Sequence, residues 1–322
     1  MRHLALLAGL TAGLFATGAS AQTKWDMPTA YPVGNFHSLN IQKFADAVKQ
    51  STNGKLLITV HPGASLFKAP EIKRAVQTGQ AQIGEVLMVN LANESPLFEA
   101  DGVPFLATDY AQSRKLADAQ RPFVEKILDS QGIKLLFVVP WPPQGVYANK
   151  EINTLKDLEG LNWRSYSPAT QRIGELVKAQ PVTVQAAELS QALATGRVNA
   201  TMTSGATGVD SKMWEQIKYY YDTQAWLPKN VVMVNKAAFD QLDKATQDAV
   251  VAAAKQAESA GWADSQRVNK ESLETLAKNG MKVQPPSAAL KEGLMGVGKT
   301  MTDEWLQKAG ADGAAMIATY RK

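Results

Sequence analysis

Arg164-Ser165-Tyr166 closes one short run of alternating apolar and polar residues, and Thr203-Ser204-Gly205 closes another. An arginine so placed offers a planar fork of N–H donors that holds both oxygens of a carboxylate at once. The hydroxyls of Thr203 and Ser204 can donate to the same anion, although hydroxyls at strand ends commonly satisfy local backbone instead. If the run through Arg164 is a regular strand, side chains alternate between its faces. Trp163 then points away from Arg164, and Tyr166 shares its side. Other aromatics gather nearby in sequence: Trp141 and Tyr147 within "PWPPQGVY", which also carries Gln144, then Trp214 and Trp226. Some of these must be core. In the first half of the chain, the residues from Glu85 to Asn90, Met88 among them, follow a strand-like run in the same way. The chemistry on offer is capture of an organic anion.

Catalytic signatures are thin. The chain contains no cysteine, which excludes disulfides, thiolate zinc sites and cysteine nucleophiles together. Beyond the leader described below, only His37 and His61 remain, without metal-ligand spacing, and no G-x-S-x-G elbow occurs. Neither a cofactor nor a metal is expected.

The elements that position these residues are written twice. "EIKRAVQTG", Glu71 to Gly79, and "ELSQALATG", Glu188 to Gly196, share Glu, Ala, Thr and Gly at the same offsets. Both read as a helix ending in a left-handed glycine. Strand-like runs flank each copy: "KLLITVHPG" and "QAQIGEV" in the first, "AQPVTVQAA" and "RVNATMT" in the second. Further upstream, "KWDMPTAYP" leads into "HSLNIQKFADAVKQ", and "LNWRSYSP" into "ATQRIGELVKA", with Ser167 and Pro168 suited to start the helix. Each half is therefore βαβαβ, an α/β pattern that predicts mostly parallel sheets with helices on both faces. Two such halves predict two lobes, and ligands of such sheets collect beyond the carboxyl ends of the strands.

Bulk properties agree. Arg2 precedes an apolar run from Leu4 to Phe15 and then Ala19-Ser20-Ala21, which reads as a secretory signal peptide over residues 1–21 and implies export, with the bacterial periplasm the best fit. The remaining length exceeds what one core usually serves. Lobe I is expected to take 22–143 and 230–262, and lobe II 144–229 and 263–322 with the C-terminal helices. The formal charge of +4 is spread without a basic block, so nucleic acid is not an expected partner.

A single helical pattern runs from Thr246 to Lys278, long enough to brace both lobes, although Gly261 in its middle could mark a break. Gly293 to Thr300 satisfies the phosphate-loop pattern G-x-x-x-x-G-K-T. A working loop follows a strand and opens a helix. Here Leu290, Leu294, Val297, Met301 and Trp305 form one helical stripe straight through it, which predicts a chance match.

On "DLEGLNWR" (Asp157 to Arg164), "AQPVTV" (Ala179 to Val184) and "ELSQALATGRVNA" (Glu188 to Ala200), the chain resembles the DctP-type solute-binding proteins of tripartite ATP-independent periplasmic (TRAP) transporters. The resemblance spans nearly all of the chain beyond the leader. It implies a two-lobed periplasmic binding fold with a hinge-spanning helix, closing on an organic carboxylate clamped by Arg164. Thr203 matches a family position that touches ligand and is often asparagine. The implied partners are a small DctQ-type and a large DctM-type membrane subunit. Two departures stand out: Asn199-Ala200 replaces the usual Asp-Gly, and Asn162-Trp163 replaces the usual lysine before the arginine. With "WPPQGVY" where relatives that bind sialic acid carry a second basic residue, the expected ligand is a monocarboxylate, for instance an aromatic 2-oxo or 2-hydroxy acid stacked near Trp141 or Tyr166. An ABC-type receptor or an exported enzyme on the same scaffold remain the alternatives. Arg164, Tyr166, Thr203, Ser204, Trp141, Gln144, Tyr147, Glu85, Met88 and Trp226 are the candidate ligand-binding residues.

Overall fold

Gly79 and Gly196 have φ of +75° and +69° and end their helices in the same way. Gly79 N–H donates to Val76 O and Ala81 N–H to Ala75 O, while Gly196 N–H donates to Leu193 O and Val198 N–H to Ala192 O. The Thr78 and Thr195 hydroxyls each donate to the carbonyl four residues back, Arg74 and Gln191. The repeated sequence is one helix end built twice, at the left-handed backbone that glycine adopts most readily.

The computed structural model describes residues 22–322, so the expected signal peptide lies outside the described residues. The first copy runs β1 (Thr23–Pro28), α1 (Phe36–Ser51), β2 (Leu56–His61), α2 (Ala69–Gln77) and β3 (Ile83–Leu87). Helix α3 (Tyr110–Ser130) leads into β4 (Ile133–Pro140) and β5 (Gln144–Ala148). The second copy runs β6 (Asn162–Ser165), α4 (Pro168–Leu176), β7 (Gln180–Thr183), α5 (Leu189–Ala194) and β8 (Ala200–Ser204). Then come α6 (Gly205–Asp210), β9 (Tyr219–Tyr221), β10 (Lys229–Asn235), α7 (Lys236–Asp240), α8 (Lys244–Lys278), β11 (Lys282–Gln284) and α9 (Ala288–Tyr320).

The strands form a parallel pair β1-β2, a sheet ordered β3-β10-β4, and a six-stranded sheet ordered β11-β9-β5-β8-β6-β7. The repeated units supply the parallel pairs β1 with β2, β6 with β7 and β6 with β8. The expectation of mostly parallel sheets needs correction, because β10 is antiparallel to both β3 and β4, and β5 to both β8 and β9. The reason is topological. The chain passes from one sheet group to the other between β4 and β5, and back between β9 and β10. The two passages lie side by side, joined by Trp141 N–H to Pro228 O (2.7 Å), Gln144 N–H to Trp226 O (3.0 Å) and Ala225 N–H to Gln144 O (3.0 Å). Each passage delivers a strand running against its neighbours.

Helix α8 is continuous through Gly261 and packs on α1 and β4 at one end and on α6 and β11 at the other, so it braces both lobes. Gly261 marks a close approach rather than a break: a Cβ there would sit 2.6 Å from Val139 Cγ2. Helix α9 reaches both lobes as well. Gly293 lies against Leu155, and the indole N–H of Trp305 donates to Pro96 O at 2.7 Å. The supposed phosphate loop sits inside α9, which starts at Ala288 behind a Ser287 cap. Gly293 and Gly298 serve packing, since a Cβ on Gly298 would lie 2.6 Å from Pro104 O, and Lys299 pairs with Asp303 one turn on at 2.8 Å. Among the described residues, no helix is long and apolar enough to cross a membrane.

Candidate ligand-binding site

Strand β6 pairs with β7 and β8, fixing its pleat, and the pleat sorts its side chains. Trp163 turns to the helical side, where its indole N–H donates to Thr170 O at 2.9 Å and α4 approaches it closely at Gly174. Arg164 turns the other way and is only 3% exposed. Its Nε donates to Val184 O at 3.1 Å, and among the described residues Nη1 has no partner. The guanidinium carbon lies 4.7 Å from the centre of the Tyr166 ring, a cation–π contact. Among the described residues, Arg164 has no carboxylate partner. Burial lowers its pKa to about 10, so the side chain remains a cation at neutral pH without a counter-ion.

That cation lines a cavity of about 190 Å³ with Glu85, Trp141, Gln144, Tyr166 and Thr203. Most polar tips in the walls are held. The Tyr166 hydroxyl donates to Gln144 Oε1 at 2.9 Å, and Gln144 Nε2 donates to Pro142 O at 2.7 Å. Tyr31, also in the wall, donates to Asn230 Oδ1 at 3.1 Å, and the Trp141 indole donates to the same oxygen at 2.9 Å. Asn230 Nδ2 is buried without a partner among the described residues. Burial pushes the Tyr31 and Tyr166 phenols up from their usual range, so both are neutral donors at physiological pH. Asp210 also lines the cavity; burial raises its carboxyl, and the Asn35 amide opposes that shift.

A larger open groove of about 1000 Å³ adjoins the cavity and shares Ala69, Val86, Asn90, Tyr166 and Gln185 with it. Two buried or half-buried charge pairs lie along it, Lys73 with Glu94 at 2.6 Å and Arg172 with Glu304 at 2.7 Å. The deeply buried Arg164 guanidinium makes the smaller cavity the candidate anion site, with the open groove beside it.

Six of the residues singled out in the sequence meet at this cavity: Arg164, Tyr166, Thr203, Trp141, Gln144 and Glu85. Four lie elsewhere. Ser204, next to Thr203, faces the opposite way, and its hydroxyl caps α6 by accepting from Thr207 N–H at 3.2 Å. Tyr147 is three residues from Gln144 on one strand and so lies on the other face, packed on Tyr220 with its hydroxyl donating to Ser204 O at 3.0 Å. Met88 and Trp226 are core residues. Tyr31 and Asp210 were missed. Tyr31 follows β1, the counterpart of β6, so the strand-end rule applied to the first copy would have named it. Asp210 depends on α6 folding back over the cavity and carries no local signal.

The family model DctP, described as bacterial extracellular solute-binding protein, family 7, matches residues 30–308. The chain belongs to this family. Solved structures agree: the DctP6 extracytoplasmic solute receptor of Bordetella pertussis, binding pyroglutamic acid, is 60% identical over 93% of this chain and 99% of that one, with a TM-score of 0.92. A marine metagenome TRAP solute-binding protein specific for pyroglutamate is 45% identical, covering 94% of this chain and 99% of its own, also at a TM-score of 0.92. Among curated proteins, the 2,3-diketo-L-gulonate-binding periplasmic protein YiaO of Escherichia coli is 27% identical over 251 residues, 76% of each chain. This DctP-type chain is thus a receptor for small organic acids on a two-lobed α/β fold, not an enzyme.

Proposed function

We propose that the protein captures pyroglutamate in the periplasm and delivers it to a TRAP transporter with a small DctQ-type and a large DctM-type subunit. The observation that carries this reading is the buried, uncompensated Arg164 guanidinium in a cavity of about 190 Å³. A buried cation without a partner is unfavourable, and a ligand carboxylate relieves it with charge-assisted hydrogen bonds. Two relatives of 60% and 45% identity bind pyroglutamate, a monocarboxylate with an uncharged lactam ring. The monocarboxylate expected from the sequence is therefore retained. The aromatic remainder is replaced by a small polar ring, which suits walls of hydroxyl and amide groups better than a phenyl group does.

We place lobe I at 22–143 and 230–262 and lobe II at 144–229 and 263–322, with the paired passages at Trp141–Gln144 and Ala225–Pro228 as the hinge. Ligand favours the closed form only as far as it contacts closed better than open, so groups on both lobes contribute. Arg164, Tyr166 and Thr203 supply contacts from one side, and Tyr31 and Glu85 from the other. Calorimetric titration with pyroglutamate, benzoylformate and succinate tests the reading. Pyroglutamate is expected to bind tightest by at least 100-fold, and a preference for succinate removes it.

A further inference from the structure

Glu85 sits on β3, is 1% exposed and borders the cavity, yet has no lysine or arginine partner among the described residues. The Thr29 hydroxyl donates to its Oε2 at 2.7 Å. Its Oε1 faces His37 Nδ1 at 3.4 Å, too far for a well-formed hydrogen bond. His37 cannot move closer easily, because its ring is packed among Phe36, Trp141 and Tyr31 at centroid distances of 4.1, 4.4 and 5.8 Å. A carboxylate has about four acceptor directions, and this one receives a single good donor. Retaining such a group beside a cavity is unfavourable unless something in the cavity donates to it.

We infer that Glu85 reads a ring N–H on the ligand, so that the site selects for a donor beside the carboxylate and rejects rings of the same shape without one. The inference rests on the pyroglutamate reading and extends it to a specificity-determining residue. Arg164 provides the donors for the ligand carboxylate, while Glu85 provides the acceptor for the adjacent N–H. The cavity thus presents a fixed cation and a fixed acceptor to two neighbouring groups of one small ring. A site built to accept a ligand N–H discriminates strongly against an analogue lacking it, because the buried acceptor is then left dry and unpaired.

The test compares pyroglutamate with 3-oxocyclopentane-1-carboxylate, in which CH₂ replaces the ring N–H and the ketone keeps its place, by calorimetric titration of the wild-type protein and of Glu85→Gln. The wild type is expected to bind the carbocycle on the order of 10- to 100-fold more weakly. In Glu85→Gln, which removes the charge at nearly constant shape, that ratio is expected to fall at least about 5-fold. Equal wild-type affinities overturn the inference while leaving the pyroglutamate reading intact, as does an unchanged ratio in the variant. Should neither compound bind the wild type, the pyroglutamate reading fails first and takes this inference with it. The wild-type comparison decides the matter even if the variant does not fold.

Discussion

The Asn35 side-chain amide donates to the Asp210 carboxylate at 2.6 Å, joining residues 175 positions apart. Asn35 caps α1 by accepting from His37 N–H, and Asp210 ends α6. One side chain thus starts a helix and ties it to the opposite side of the cavity.

Replacing Asn35 separates these two roles. In Asn35→Ser the hydroxyl keeps the cap, but the shorter side chain cannot reach Asp210. Affinity for pyroglutamate is expected to fall about 10-fold through loss of a charge-assisted bond that favours the closed form, with the apo melting temperature nearly unchanged. Unaltered affinity in titration calorimetry would show that the contact does not contribute to closure.

The same carboxyl predicts a pH dependence. Burial raises the Asp210 pKa above its ordinary 3.8 despite the hydrogen bond from Asn35. A carboxyl raised on folding holds its proton more tightly in the folded state. Its stabilising contribution is complete below the unfolded value and is lost as pH rises through the folded one. Asp210→Asn should therefore gain more over wild type at pH 7 than at pH 4 in chemical denaturation; a larger gain at pH 4 contradicts the argument.

Gly261 gives a packing prediction in which two effects oppose. Alanine improves helix propensity by about 1 kcal/mol. The added Cβ, however, would lie 2.6 Å from Val139 Cγ2 and 2.9 Å from Asn40 Nδ2, and Asn40 donates to Ala257 O at 3.1 Å. Overpacking of this kind costs about 1–3 kcal/mol, so Gly261→Ala is expected to be destabilised in urea titration. Increased stability would mean that α8 and β4 separate readily.

Lys299 tests the phosphate-loop pattern. Its ammonium pairs with Asp303 on an open helix face. Lys299→Ala should leave the melting temperature unchanged, and neither protein should bind ATP in a fluorescence titration. Micromolar ATP binding lost in the variant would overturn the packing role assigned to these glycines.

Much of this site was legible because strands have a period of two. Trp163 and Arg164 separated to opposite faces as alternation requires, and Ser167 with Pro168 started α4. The same alternation excludes Ser204 and Tyr147 from the site, because they lie out of phase with Thr203 and Gln144. What local pattern could not provide was the antiparallel placement of β4, β5 and β10, which follows from two passages meeting at Trp141–Pro228. Nor could it foresee Asp210, whose position is set by the tertiary course of α6.

The most direct measurement is titration calorimetry of wild type and Arg164→Met with pyroglutamate, beside the melting temperature of each apo protein. Removing one partner of a buried charge pair costs about 3–5 kcal/mol, so the variant is expected to bind at least 100-fold more weakly. Because the apo protein also loses an uncompensated buried cation, its melting temperature should not fall. Equal dissociation constants in the two proteins would contradict the account.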